Sequence, residues 1–312
     1  MRKFAIEIFV FFSLLILTIN LLYRINKPIR LKVIEKLKGK IEIVNLGTSH
    51  GWDFDYSKCT LTGMNFNISG NTMFYDLQNY RFLNENGYLA KNAIVIIPVS
   101  YFVFGLDENR TDGKVNDSFV NQFYDYLPPK YIYSYSFKKE IELYIHKVQQ
   151  NFHLLIEKKD KKINKPKEAN TQEINNESMA EKLEELAIKR VQRHLELSEY
   201  SSESKNMEYM ETLINEILAA NHQVILVTTP YYCAYNRNFG EEWLEKKYFS
   251  KMNHLVSKFG ISYLDYSHDK RISYSPELFN DSDHLNKKGK QIFNKIFFED
   301  IALLLNDTIA QQ

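Results

Sequence analysis

Cysteine is almost absent from this chain: Cys59 and Cys233 are the only two in 312 residues. Two cysteines this far apart make no metal-ligand spacing and imply no disulfide framework, although a bond between them stays open. Net charge is equally scarce. Forty basic residues stand against 39 acidic ones, leaving a formal charge of +1. With no surplus of Lys and Arg to neutralise phosphates, a nucleic-acid partner is excluded. No internal repeat is present. What the chain does have is bulk: 44% of residues are hydrophobic, with 21 Tyr and 21 Phe. That is enough for one sizeable α/β domain with appendages. Tyrosines near a cleft also stack on sugar rings, but composition does not separate that use from core filling.

Residues 4–23 read FAIEIFVFFSLLILTINLLY, apolar apart from Glu7 and a few small polar residues. The run is long enough to cross a bilayer as a helix, and Arg2-Lys3 precede it. It is longer than a signal-peptide core, and LLYRINKP offers no small-x-small cleavage site, so an uncleaved anchor is expected. Next comes the basic connector 24–40, with Arg24, Lys27, Arg30, Lys32, Lys36 and Lys38 opposed only by Glu35. By itself that flank favours a cytoplasmic location for the remainder of the chain.

From residue 41 the pattern is α/β. Ile41, Ile43, Val44 and Leu46 form a β-branched run ending at Gly47, which predicts a buried strand. Further strands are expected at Met64–Ser69, Ala93–Val99, Gln223–Thr229 and Ser262–Tyr266. Helices are expected over Asn71–Asn86, Met207–Ala220, Gly240–Phe259 and Lys287–Leu305. Strands alternating with helices imply a doubly wound parallel sheet, because parallel neighbours need crossovers. Residues 102–205 break this rhythm and are expected to be a helical insertion or lid. Within it Glu157–Ser178 has too little apolar surface to offset its ordering entropy, so it reads as a solvated loop.

The first strand delivers Gly47-Thr48-Ser49-His50 to the sheet's carboxyl end, where open parallel sheets place their ligands. A plainer reading is that Thr48 or Ser49 only caps a helix. Far downstream, Asp281-Ser282-Asp283-His284-Leu285-Asn286 precedes the last helix. It too reads more plainly as a loop with a helix cap. Together the segments supply a hydroxyl, an imidazole to take its proton and a carboxylate to fix the imidazole's tautomer. Asp281 is the expected orienter, three residues before the histidine. Asp283 competes, but adjacency makes it project differently. These groups call for no metal and no cofactor.

The order of these blocks resembles that of SGNH/GDSL-type hydrolases. In that family a serine follows the first strand and an Asp-x-x-His motif precedes the last helix. The resemblance covers 41–100 and 207–305. It implies an SGNH/flavodoxin-like three-layer fold with Ser49, His284 and Asp281 as catalytic triad. Gly70 matches the family glycine whose N–H joins that of Ser49 in the oxyanion hole. Two departures stand out. Thr48 replaces the usual aspartate, as in membrane-anchored relatives that handle cell-surface polymers. Pro98-Val99-Ser100-Tyr101 replaces Gly-x-Asn-Asp, leaving Ser100 as the donor available there. One missing donor is worth about 3 kcal/mol of barrier in other enzymes.

The resulting expectation is a single-pass protein: anchor 1–23, connector 24–40 and an SGNH-like domain over 41–312. It acts as an acyl esterase or O-acetyltransferase on an envelope polysaccharide or acylated glycan, with a membrane acyl-donor protein as partner. An envelope substrate places the domain outside the cytoplasmic membrane, against the electrostatics of the basic flank. The alternatives are a non-catalytic accessory subunit of the same fold, binding a glycan or membrane partner, and a cytoplasm-facing lipid esterase.

Overall fold

The computed structural model describes residues 2–25, 29–106, 118–157, 176–198 and 203–310. Residues 158–175, most of the polar stretch Glu157–Ser178, lie outside that set. The chain forms two compact units, Met1–Lys36 with Asp117–Gln172, and Leu37–Asn116 with Glu173–Gln312.

In the first unit the apolar run forms a helix, Arg2–Ile25, that packs against a second helix, Phe137–Glu157. Among the described residues no helix is long and apolar enough to cross a membrane. Residues 2–25 therefore supply a helix with apolar side chains on its surface: Phe4, Phe9 and Leu17 are each about two-thirds exposed. A short helix, Ile29–Lys36, comes next. Lys147 Nζ pairs with Asp125 at 2.6 Å, tying the Phe137–Glu157 helix to the turn before it.

The second unit is built on a five-stranded parallel sheet in the order β2-β1-β3-β4-β5. The strands are β1 (Ile41–Asn45), β2 (Gly63–Asn65), β3 (Leu89–Pro98), β4 (Gln223–Thr228) and β5 (Ser262–Asp265). This is the parallel α/β arrangement the apolar runs predict. Ile43, Val44, Val95, Ile96, Leu226 and Val227 are all fully or nearly fully buried, as strands covered on both faces require. Right-handed crossovers put the helices Met73–Glu85 and Glu203–Ala219 on one face, where they pack together. The helix Lys287–Ala310, which is not part of a crossover, packs beside the turn after β1.

Three boundaries differ from expectation. β2 is three residues rather than six, and at its end the Asn65 side chain donates to the Gly51 and Phe54 carbonyls. β3 starts earlier, through a bulge that places Asn92 at φ +59°. A small hairpin, β6 (Phe279–Asp281) with β7 (His284–Leu285), has no counterpart among the expected strands. Its strands are too short to leave a periodic signal. Cys59 and Cys233 are both free thiols.

Candidate active site

Two residues past β1 comes Gly47, whose φ of +95° suits glycine. A Cβ there would also meet the Pro98 ring at 3.0–3.2 Å. Buried Asp76 fixes the turn by accepting from the Gly47 N–H at 2.8 Å and the Asn71 amide at 2.6 Å. Asparagines brace the rest: Asn67 donates to the Thr48 carbonyl, and Asn45 donates to the carbonyls of Leu46 and Gly51. Ser49 then opens a short 3₁₀ turn, Ser49–Asp53, and Thr48 makes no side-chain cap to it. The capping role open to Thr48 is thus not taken up.

The hairpin supplies the other half. Asp281 and His284 are cross-strand partners in it, so their side chains share one face. Ser282 and Asp283 form the connecting turn, and Asp283 stays farther from the ring, its Oδ1 3.6 Å from His284 Nδ1. Asn286 accepts from the N–H groups of Lys288 and Gly289, capping the last helix. The helix-cap reading of this block is thus met by Asn286, while Asp281 and His284 face each other across the hairpin.

The last helix closes the distance between the two blocks. Lys290 Nζ donates to the Trp52 carbonyl at 2.9 Å, and Asn294 donates to the Asp53 carbonyl while accepting from the Asp55 N–H. With the 52–55 segment gripped in this way, Ser49 Oγ lies 2.9 Å from His284 Nε2. On the other side of the ring, Asp281 Oδ1 lies 2.9 Å from Nδ1. Residues 235 apart in sequence are thus joined in one hydrogen-bonded chain. Gly70 has φ +71° and closes the loop after β2. Ser100, just after β3, is buried with its hydroxyl unpaired.

The electrostatics separate the ionisable groups. Burial raises the Asp281 carboxyl, but the hydrogen bond and charge of His284 and the charge of Arg190 outweigh it. The group ends well below the ordinary carboxylate range. Burial lowers His284, yet the hydrogen bond to Asp281 and the charges of Asp283 and Asp281 leave it above its usual value. Asp283 and Asp53 are both pushed up to about 7, chiefly by desolvation.

Sequence reasoning missed two participants. His50 is buried and stacks on His284 with ring centroids 4.8 Å apart and planes within 7°. Burial, then the neighbouring His284 charge, lowers its pKa well below normal, so it stays neutral. Its place directly after Ser49 was the only available signal. Arg190, from the helix Asn176–Ser198, contacts Asp281 and Asp283 at 3.0 and 3.1 Å. Nothing distinguishes it in sequence from the other charges of an amphipathic helix.

His50, Asp283 and His284 each bring a ligand-type atom within 4.8 Å of the others. Because the two rings lie nearly parallel, their in-plane lone pairs run side by side and do not converge, which is poor geometry for one metal ion. A separate cavity of about 930 Å³ runs between the last helix and the 55–61 loop, and no member of the Ser49–His284–Asp281 chain lines it.

No family model matches this chain, and no curated protein matches it. Among solved structures, a GDSL-like lipase from Bacteroides thetaiotaomicron is similar at 12% identity. The match covers 88% of this chain and 98% of that one, with a TM-score of 0.40. A lipase/acylhydrolase from Enterococcus faecalis is also 12% identical, over 84% of this chain and 95% of the other, with a TM-score of 0.36. Likeness at this level carries no argument about the reaction, which has to be read from the site.

Proposed function

We propose that this chain is an SGNH-type acyl esterase or O-acyltransferase whose nucleophile is Ser49. The observation that carries the reading is the 2.9 Å contacts on both sides of the His284 ring. A serine hydroxyl is a weak nucleophile until a base takes its proton, and a base held on its far side by a carboxylate is the arrangement that does so. His284 Nε2 accepts the Ser49 proton as Oγ attacks the acyl carbonyl. It then returns that proton to the departing alcohol, leaving an acyl-serine. Water or an acceptor hydroxyl, deprotonated by the same nitrogen, releases the acyl group. The oxyanion is taken by the N–H groups of Ser49 and Gly70. The unpaired Ser100 hydroxyl is the third donor, in place of the missing asparagine.

The acyl group's source in this proposal is an ester of an envelope polysaccharide or glycan, and the protein is held at the membrane through residues 4–23. The exposed phenylalanines and leucines of the Arg2–Ile25 helix support the anchoring. So do Ile141, Ile145 and Phe152, exposed on the helix packed against it. A reporter fused after Gln312 tests the placement: activity only in the cytoplasm retires the polysaccharide substrate in favour of a lipid ester.

A fluorophosphonate probe tests the chemistry. Labelling of Ser49 in the full chain, located by mass spectrometry, is expected. A folded sample that stays unlabelled instead identifies a non-catalytic accessory subunit of the same fold.

A further inference from the structure

His284 Nδ1 has two carboxylates within reach. Asp281 Oδ1 is at 2.9 Å and Asp283 Oδ1 at 3.6 Å. An imidazole needs one orienting partner, and a second carboxylate drawn into contact would pull the ring out of line with Ser49. Both carboxylates are engaged by a single cation. Arg190 Nη2 donates to Asp281 Oδ2 at 3.0 Å, the oxygen that makes the longer of the two contacts with Nδ1, at 3.2 Å. Arg190 Nε lies 3.1 Å from Asp283 Oδ1, the same oxygen that competes for Nδ1. The Asp283 side chain is almost fully buried, so an unpaired charge there is costly.

We propose that Arg190 is a positioning residue that assigns Asp281, and not Asp283, to His284 by hydrogen-bonding the first carboxylate and ion-pairing with the second. The inference rests on the acyl-transfer reading of Ser49 but concerns a different element: the site is complete only with the Asn176–Ser198 helix in place. A guanidinium suits this task because its planar head donates to Asp281 from one nitrogen while another brings the same charge within 3.1 Å of Asp283 as an ion pair. Lysine brings the charge but only one point of contact. The charged and titratable groups facing His284 are Asp281 and Asp283 on its own hairpin, Arg190 from the helix, and His50 and Asp53 from the turn after β1. Removing the arginine leaves the carboxylates unopposed beside the ring.

The test uses the full chain with ¹³C-labelled histidine. The His284 titration is followed by NMR, and the rate of fluorophosphonate labelling at Ser49 is measured alongside. Arg190→Gln is expected to raise the His284 titration by about one pH unit and slow labelling at pH 7 about tenfold. Arg190→Lys is expected to keep the wild-type titration yet label slowly, because the charge remains while the planar head is lost. Adding Asp283→Asn to Arg190→Gln removes the competitor, so the titration moves back and most of the labelling rate returns.

An unmoved titration in Arg190→Gln overturns the proposal, as does a double variant no faster than the single one. If Arg190→Gln does not fold, Arg190→Lys decides, and wild-type labelling in it overturns the proposal. Wild-type protein that never labels, with the titration shifting as described, refutes the acyl-transfer reading and leaves the positioning role standing.

Discussion

His50 and His284 lie face to face, 4.8 Å between centroids, and their pKa values are shifted in opposite directions. His284 touches a carboxylate and a hydroxyl and has its pKa raised, whereas His50 has neither ring nitrogen hydrogen-bonded and has its pKa lowered. The neutral ring forms one wall of the site and cannot replace its neighbour as base without a hydroxyl in reach.

Removal of the hydroxyl should therefore abolish turnover. Ser49→Ala is expected to lower ester hydrolysis at least about a thousandfold, with His284→Ala similar and the double variant little worse, because the members act as a unit. Ser49 is only half-buried, so thermal unfolding of Ser49→Ala should stay within a degree or two of wild type. Retained turnover in Ser49→Ala would leave the fold with another occupation.

The pH dependence is set by the base. His284 must be neutral to take the Ser49 proton, and its pKa lies above 6.5. Labelling and kcat/KM should therefore fall as pH drops through that raised value, giving an acid limb on the alkaline side of 6.5. A profile flat from pH 5 to 8 would contradict the role of His284.

Asp76 gives a stability prediction of definite sign. Its folded pKa is raised from 3.8 to about 7, first by burial and despite the hydrogen bonds from Gly47 and Asn71. A raised carboxyl binds its proton more tightly in the folded state. Its contribution to stability is thus complete below pH 3.8 and is lost as pH rises through 7. Asp76→Asn keeps an acceptor for Gly47 and should flatten denaturant-measured stability between pH 4 and 8. Asp76→Ala leaves two buried donors unpaired and should cost about 2–4 kcal/mol at any pH. Equal pH slopes in wild type and Asp76→Asn would disprove the assignment.

Gly47→Ala should damage the turn itself. The new methyl would press on the Pro98 ring at a φ that side chains rarely adopt. A loss of about 1–3 kcal/mol is expected, read as a fall in Tm, with labelling of Ser49 slowed by more than the stability change explains. An unchanged Tm would show that Pro98 gives way.

Much of this protein was legible in its sequence. The β-branched runs placed β1, β3 and β4, because a strand buried on both faces must be apolar throughout. The three-residue spacing allowed Asp281 and His284 to meet, but the hairpin that sets them directly opposite each other emerged only in the structure. Their reach to Ser49 was implied only by the order of the blocks along an α/β chain. The site's remaining controls were decided by the tertiary structure. Arg190 lies 91 residues from Asp281, and no local pattern says which of an amphipathic helix's cations will face a pair of buried carboxylates. His50 became a neutral wall, and Asp76 a clamp on Gly47, only once burial had removed water from them. Periodicity is a local property that sequence displays directly. The partner of a buried charge is chosen by the cost of leaving that charge alone, and that cost exists only after the chain has closed around it.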